Sequence, residues 1–517
     1  MRHLTFLLTS CLAGGCVLFD AFDGDYGPRD QADPSPGGSE GSGGETASTT
    51  GGAGGGSSST GTGGEGGELT CVDTCASGRC EGELCVPWAQ SFGGTGMSNA
   101  RHVTTADDGG VIVAGDFDGS LTIGATTLWS KGDRDAFVAA FSRQGDFLWA
   151  RSFGGSWYDE VTGIDTGPGG AIYLTLRCQD VDFPPLGHYG LAGGEDICVA
   201  KLDGMGVPQW AQSFGSPMWE QTWGLATTSE GVFIAGELDT SLTIGNTTLT
   251  APTKGGFVAR LALDTGIPIW ARSVDSPNWI SVQGIAAAPN GHVDVVGTYT
   301  TSVTVGGITL YDEDGWQDIY VARLSPTNGN AQWAKRLRTV NSNGAYGWPR
   351  GIASRDDATL VVGAFDGSWD FGGGPVTSSG TQGAVVALGD GGSFAWQRAL
   401  SGSGFSELTS VTTSPSGDVV VGGSFDGDQA SFGGQTLTSS GGFAFHPFYA
   451  SLTADGAVDQ ATTVQGPGWA DLASSHLHAS NGNLLLVGTF NGTIDPGTGT
   501  LVANGNDNSF LVSHGSY

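Results

Sequence analysis

The chain has 517 residues, 91 of them glycine and 15 tryptophan, and a formal charge of −32 from 20 Lys+Arg against 52 Asp+Glu. That acidity excludes a nucleic-acid or anionic-lipid partner held by charge, because phosphates are repelled. An aromatic content of 9% excludes a chain disordered throughout, and the glycines show no G-X-Y period.

Arg2 and His3 precede a short apolar run, residues 4–14, and two cysteines are placed to end it. Leu8-Thr9-Ser10-Cys11 fits a lipoprotein cleavage box but leaves a very short signal. Ala13, Gly14 and Gly15 before Cys16 supply small residues and a more usual length. Parity favours the second site: of 8 cysteines, losing Cys11 and lipidating Cys16 leaves six to pair. Residues 1–16 therefore resemble a bacterial lipoprotein signal peptide. The resemblance implies lipid on Cys16, a cell-envelope location at the outer membrane or cell surface, and membrane contact through that lipid only. A secretory signal without lipid is the alternative. No later stretch approaches 18 consecutive apolar residues, so no transmembrane helix is expected.

Residues 17–70 are rich in Gly, Ser and Thr, with nine acids and one base, Arg29. Such a segment buries no core and reads as a disordered acidic tether. Residues 71–85 hold Cys71, Cys75, Cys80 and Cys85. Four cysteines this close suit zinc or two disulfides; in an exported chain disulfides are the expectation, with connectivity open.

From residue 86 to 517 one pattern of about 61 residues recurs. It is marked by Trp88, Trp149, Trp210, Trp270, Trp333 and Trp396, each in a strand of the W-A-x-S type, with a seventh copy at Asp459 lacking Trp. Each copy reads as a strand (TGID, WGLA, QGIA, RGIA), a Gly-containing turn, and a second strand ending in Gly (VIVAG, VFIAG, LLLVG). A third strand (AFVAAF, GFVARL) and the Trp strand follow. Between the second and third lies a small hairpin, SLTIGATTL, SLTIGNTTL or SVTVGGITL, whose central Gly pairs demand positive φ. Four strands and a hairpin cannot bury both sheet faces alone; stacking in a ring does. The array begins on a fourth strand, residues 86–92, and stops on a third, residues 509–514. The expected fold is thus all-β, a seven-bladed β-propeller closed by its two ends and monomeric.

The spacing, and strands such as IAAAPNGHVDVVGTY (285–299), resemble propeller repeats of bacterial extracellular and lipoprotein-type proteins. The tether with clustered cysteines resembles myxobacterial surface lipoproteins; the resemblance implies a surface scaffold and no reaction. A second resemblance, Ala262-Leu263-Asp264-Thr265-Gly266 through Trp270, is to the tryptophan-docking segment of quinoprotein-type propellers. Other copies keep the Trp without this Asp-Thr-Gly.

The Trp set is expected to pack blade on blade. The Asp-Gly turns at Asp118, Asp366 and Asp426 read as tight turns rather than cation sites, because no copy gathers enough oxygens. Cys178 and Cys198 fall on strands expected to be antiparallel neighbours and are expected to bridge, stapling the irregular segment 179–191. His102 and His476 align with Gly163, Gly224, Gly284 and Gly351 on the first strand, in blades that closure makes adjacent, and His478 lies two residues on. The three form a candidate transition-metal site, against the simpler reading of polar channel-lining residues. No cofactor is expected; a divalent cation is admitted. No G-x-S-x-G, H-E-x-x-H or phosphate loop is present. The leading expectation is a non-enzymatic binding or adhesion scaffold for a protein or glycan ligand. The alternatives are an enzyme of quinoprotein or lyase type with its site at the channel mouth, or a structural envelope or matrix protein.

Overall fold

The computed structural model describes residues 79–517, apart from 82–83, 191, 313–314, 341–344, 403, 415, 440–444, 478–482, 505 and 517. The side chains of 80, 81, 84, 85, 477, 515 and 516 are also outside the description. Cys16, Cys71, Cys75 and His478 therefore lie outside it, and Cys80 and Cys85 are described by backbone alone, opposite one another in a two-stranded ladder.

Seven four-stranded antiparallel blades follow in chain order. Blade 1 runs from an inner strand, Ser98–Thr105, through Val111–Phe117 and Asp135–Phe141 to an outer strand, Phe147–Phe153. The inner strands of blades 2 to 7 are Glu160–Gly167, Glu220–Thr228, Ile280–Ala287, Gly347–Ser354, Ser406–Thr413 and Trp469–Leu477. Blade 7 takes its outer strand, Trp88–Gly94, from the other end of the chain: Trp88 to Phe92 pair with Ser513 to Ser509. The ring closes as expected, its first and last strands pairing with one another.

Second and third strands are buried on both faces, as in VIVAGDF and DAFVAAF, because each blade is covered on both sides by its neighbours. The core is accordingly seven apolar clusters, one per blade junction. The cluster at the closing junction joins Trp88, Leu485, Val487 and Leu511 of blade 7 to Val113, Phe137 and Phe141 of blade 1.

The outer-strand tryptophans dock on the next blade. Trp88, Trp149, Trp210, Trp270 and Trp396 each donate from Nε1 to a carbonyl in the next third-to-outer turn, at 3.2, 3.0, 3.1, 2.9 and 2.9 Å. Each ring lies over a positive-φ glycine of that turn: Gly145, Gly206, Gly266, Gly329 and Gly456. Trp333 stacks likewise on Gly392, though its Nε1 finds no acceptor among the described residues. Gly266 and Trp270, both within the quinoprotein-like segment, thus serve two successive junctions, as their counterparts do without that motif.

The seventh position needs a correction. Register pairs Gln460 with Ser451 as Trp149 pairs with Ala140, so Gln460, not Asp459, replaces the Trp. The cause of the loss is topological. In blade 7 the third strand, Asn508–Ser516, and the outer strand come from opposite ends of the chain. No tight turn joins them, so a Trp from blade 6 has nothing to dock on.

The small hairpins form, with Gly124 at φ +56° opening the turn between Ile123 and Thr126. Their role is a strap. The hairpin of blade 1 adds to the outer strand of blade 7 (Gly93 opposite Thr122), and those of blades 4, 5 and 6 add to blades 3, 4 and 5. Single bridges do the same for blades 2 and 7, through Asp182 and Asp495. In blade 2 a disulfide joins Cys178 and Cys198 (Cα–Cα 5.9 Å) diagonally across the second and third strands, at the base of the irregular strap.

Candidate functional site

Every inner strand carries a β-bulge at the same place: Arg101, Thr162, Trp223, Gln283, Arg350, Thr409 and Ala473 are the extra residues. A bulge re-aims the strand and lets the residues before it face a different way from those after it. It also aligns the seven copies by geometry.

Four residues before the bulge stand Met97, Tyr158, Trp219, Trp279, Tyr346, Phe405 and Trp469. All seven are large and apolar, six are aromatic, and all lie at the same end of equivalent strands, hence around one mouth. Water should have driven such side chains inside; instead Trp219 is 56% exposed and Trp279 44%. Trp157, Trp223 and Trp348 on the same segments are exposed as well. Tyr346 stacks on Trp348 with ring centroids 5.8 Å apart, and Phe405 meets Phe445 edge-on at 5.5 Å. Of the eight exposed tryptophans only Trp129, on the first strap, sits away from these mouth segments and the loops entering the third strands.

Beneath this ring, two residues before the bulge, the side chains are mostly polar: Asn99, Glu160, Gln221, Ser281, Glu407 and Asp471, with Trp348 the exception. Between blades 1 and 2 they belong to a charge network. Arg101 bonds Asp116 and reaches Glu160 at 2.9 Å; Arg177 bonds Glu160 at 2.8 Å and Glu195 at 3.1 Å; Arg134 bonds Asp116 at 3.0 Å. Tyr158 lies between the Arg134 and Arg177 guanidinium groups and donates to Glu160 at 3.1 Å. Burial, then Glu160 and Asp116, push its hydroxyl up to about 12. Across the channel Glu407 faces Arg350 at 3.5 Å. Desolvation raises the carboxyls of Glu407 and Asp471, against the nearby guanidinium of Arg350.

The histidines are seated differently from the sequence alignment. The residue after the bulge is His102 in blade 1 and Ser474 in blade 7, so His476 lies two positions further along its strand than His102 does. His102 shares its place with Gly163, Gly224, Gly284 and Gly351, where a Cβ faces the next inner strand: at Gly284 it would lie 3.0 Å from Ile352. His102 accordingly turns toward the backbone of Val161 in blade 2, and His476 Nε2 lies 3.1 Å from Thr105 Oγ1 in blade 1. The two rings address successive blade interfaces. Among the described residues no group of three or more His, Cys, Asp or Glu is placed to hold a metal ion. Asp118 accepts the Met97 amide at 2.9 Å and Gly119 has φ +64°, as a turn requires.

The opposite mouth, formed by inner-to-second turns, holds a cavity of about 660 Å³ lined by Thr227, Ser229, Pro289, Arg355, Asp356 and Ser414 among others. Arg355 there is tied to Gly417 and Asp357. The aromatic mouth is the chemically distinct one.

No protein-family model matches the chain, and no curated protein matches it. Among solved structures it is similar to the Pan2 WD40 domain of Neurospora crassa, at 9% identity over 81% of this chain and 89% of that one, TM-score 0.41. BamB of Moraxella catarrhalis matches at 13% identity over 81% and 99%, TM-score 0.36. The quinohemoprotein alcohol dehydrogenase of Comamonas testosteroni matches at 12% over 84% and 76%, TM-score 0.35. These likenesses are too distant to say anything of function.

Proposed function

We propose that the protein is a cell-envelope lipoprotein, anchored through Cys16, whose propeller is a binding or adhesion scaffold with the aromatic mouth as its docking face. One observation carries this reading: a large apolar side chain recurs at the mouth position of all seven blades, and in five of them, Met97, Trp219, Trp279, Tyr346 and Trp469, it is exposed to water. A repeat that needed only to fold would place any polar residue there, and apolar surface concentrated in one place marks an interaction site. Trp219, Trp279 and Trp469 are exposed at the starts of their inner strands, whereas Tyr158 is engaged by Arg134 and Arg177.

The test is retention of purified full-length protein on envelopes of the producing cells. Trp219→Ala with Trp279→Ala should lower retention about tenfold or more, each exposed anchor contributing at the level of an interface hot spot. Trp129→Ala should leave it unchanged. Equal loss with Trp129→Ala, or none with the pair, rejects the mouth as the docking face. In the same cells Cys16→Ala should release the protein from the membrane fraction; release by Cys11→Ala alone would move the lipid site.

A further inference from the structure

We propose that the aromatic mouth binds a neutral polysaccharide, stacking sugar-ring faces on its aromatic side chains and bonding hydroxyl edges to the carboxylates and amides beneath. This rests on the reading of the mouth as the docking face and names its ligand.

The first support is the interleaving of surface types. Trp219 stands two residues before Gln221, Phe405 before Glu407 and Trp469 before Asp471. Residues two apart on a strand share a face, so each aromatic platform has a polar group directly below it. A protein-docking hot spot has an apolar centre depleted of charge, with polar groups at its rim. Here the order is reversed, and carboxylates lie inward of the aromatics. A pyranose ring offers the complement: a flat C–H face to lie on an aromatic ring and hydroxyls at its edge to donate to carboxylates.

The second support is charge. A formal −32 over the whole chain disfavours uronic, sulfated and phosphorylated polymers and anionic lipid headgroups, and the exposed guanidinium at the mouth, Arg350, is already met by Glu407. A neutral polymer meets no such barrier. The third is repetition. An aromatic–polar pair stands in five of the seven blades, interrupted by Met97 in blade 1 and Trp348 in blade 5, and a ligand made of one repeating unit can occupy several pairs at once. Each contact is then weak, but the later ones form at high effective concentration, so overall binding is strong.

The experiment uses full-length protein, with envelope material divided into three competitor fractions: protein, acidic polysaccharide, and neutral polysaccharide freed of protein by protease and of acidic polymer on an anion exchanger. The neutral fraction should displace the bound protein. Binding of that fraction, followed by calorimetry, should weaken about tenfold with Trp219→Ala or Trp279→Ala and stay unchanged with Trp129→Ala. The replaced side chains are exposed, so unchanged thermal unfolding certifies each variant as folded. If only the protein or the acidic fraction competes while the mouth variants still lose retention, the ligand class is wrong and the docking face stands. If the neutral fraction competes equally against wild type and mouth variants, both fail.

Discussion

At the scale of single residues, backbone conformation and packing can be separated by a matched pair of glycines. Gly206 and Gly169 both have φ +74°, but a Cβ on Gly206 would lie 2.5 Å from the Trp149 ring, whereas nothing lies within 4 Å of one on Gly169. Gly169→Ala should cost about 1–2 kcal/mol for the left-handed backbone alone. Gly206→Ala should cost at least about 1 kcal/mol more, for displacing the docked tryptophan; equal urea midpoints would contradict the docking role. His102 supplies a pH test. Burial, and then the charge of Arg101, lower its pKa to about 4. Between pH 6.5 and 4 the unfolded chain binds a proton that the folded chain refuses, so His102 removes stability as pH falls through that window. Asp159 and Asp165, pushed up to about 7 and about 6 by burial, act with the opposite sign, so the total slope conceals the histidine. His102→Gln should therefore lose less stability than wild type between pH 7 and pH 4.5; identical losses would mean that His102 titrates normally. The sequence reading took both histidines for departures from glycine, and only His102 is one. It could not show the bulge, and counting from the repeat period alone shifted His476 by two places and made Asp459, instead of Gln460, the missing tryptophan.

At the scale of elements, strands and hairpins were legible because their alternation and Gly-x turns are local signals. The strap function was not, since the hairpin of one blade bonds the outer strand of the blade before it, about 30 residues away in sequence (Val274 with Val305). In blade 2 the strap Val181–Phe183 with Gly187–Tyr189 is short, and it holds its neighbour by one bridge, Gly154 to Asp182. The Cys178–Cys198 disulfide closes that excursion, with a sequence separation of 20. Replacing both cysteines by Ala should cost about 3 kcal/mol by the loop-closure argument. Hydrogen exchange should rise first in residues 179–195; a uniform rise over all blades would contradict a local staple.

At the scale of the whole molecule, blade number and closure followed from period and phase, because a ring of identical units leaves the sequence few other solutions. The exposed aromatic mouth was the part that sequence reading missed. Tryptophans were read through the outer-strand motif, and those at 157, 219, 223, 279, 348 and 469 were passed over. Their spacing was available, with Trp219 and Trp279 sixty residues apart and Tyr158 sixty-one before Trp219. What sequence lacks is exposure: a periodic aromatic looks the same whether it fills a core or rims a mouth. The most direct test of the account is hydrogen–deuterium exchange of the full-length protein with and without saturating neutral envelope polysaccharide. Protection should appear at the segments entering the inner strands, residues 95–101, 156–162, 217–223 and 277–283, and spare the opposite turns at 106–110 and 288–292. Protection at those opposite turns, with the aromatic segments unchanged, would contradict it.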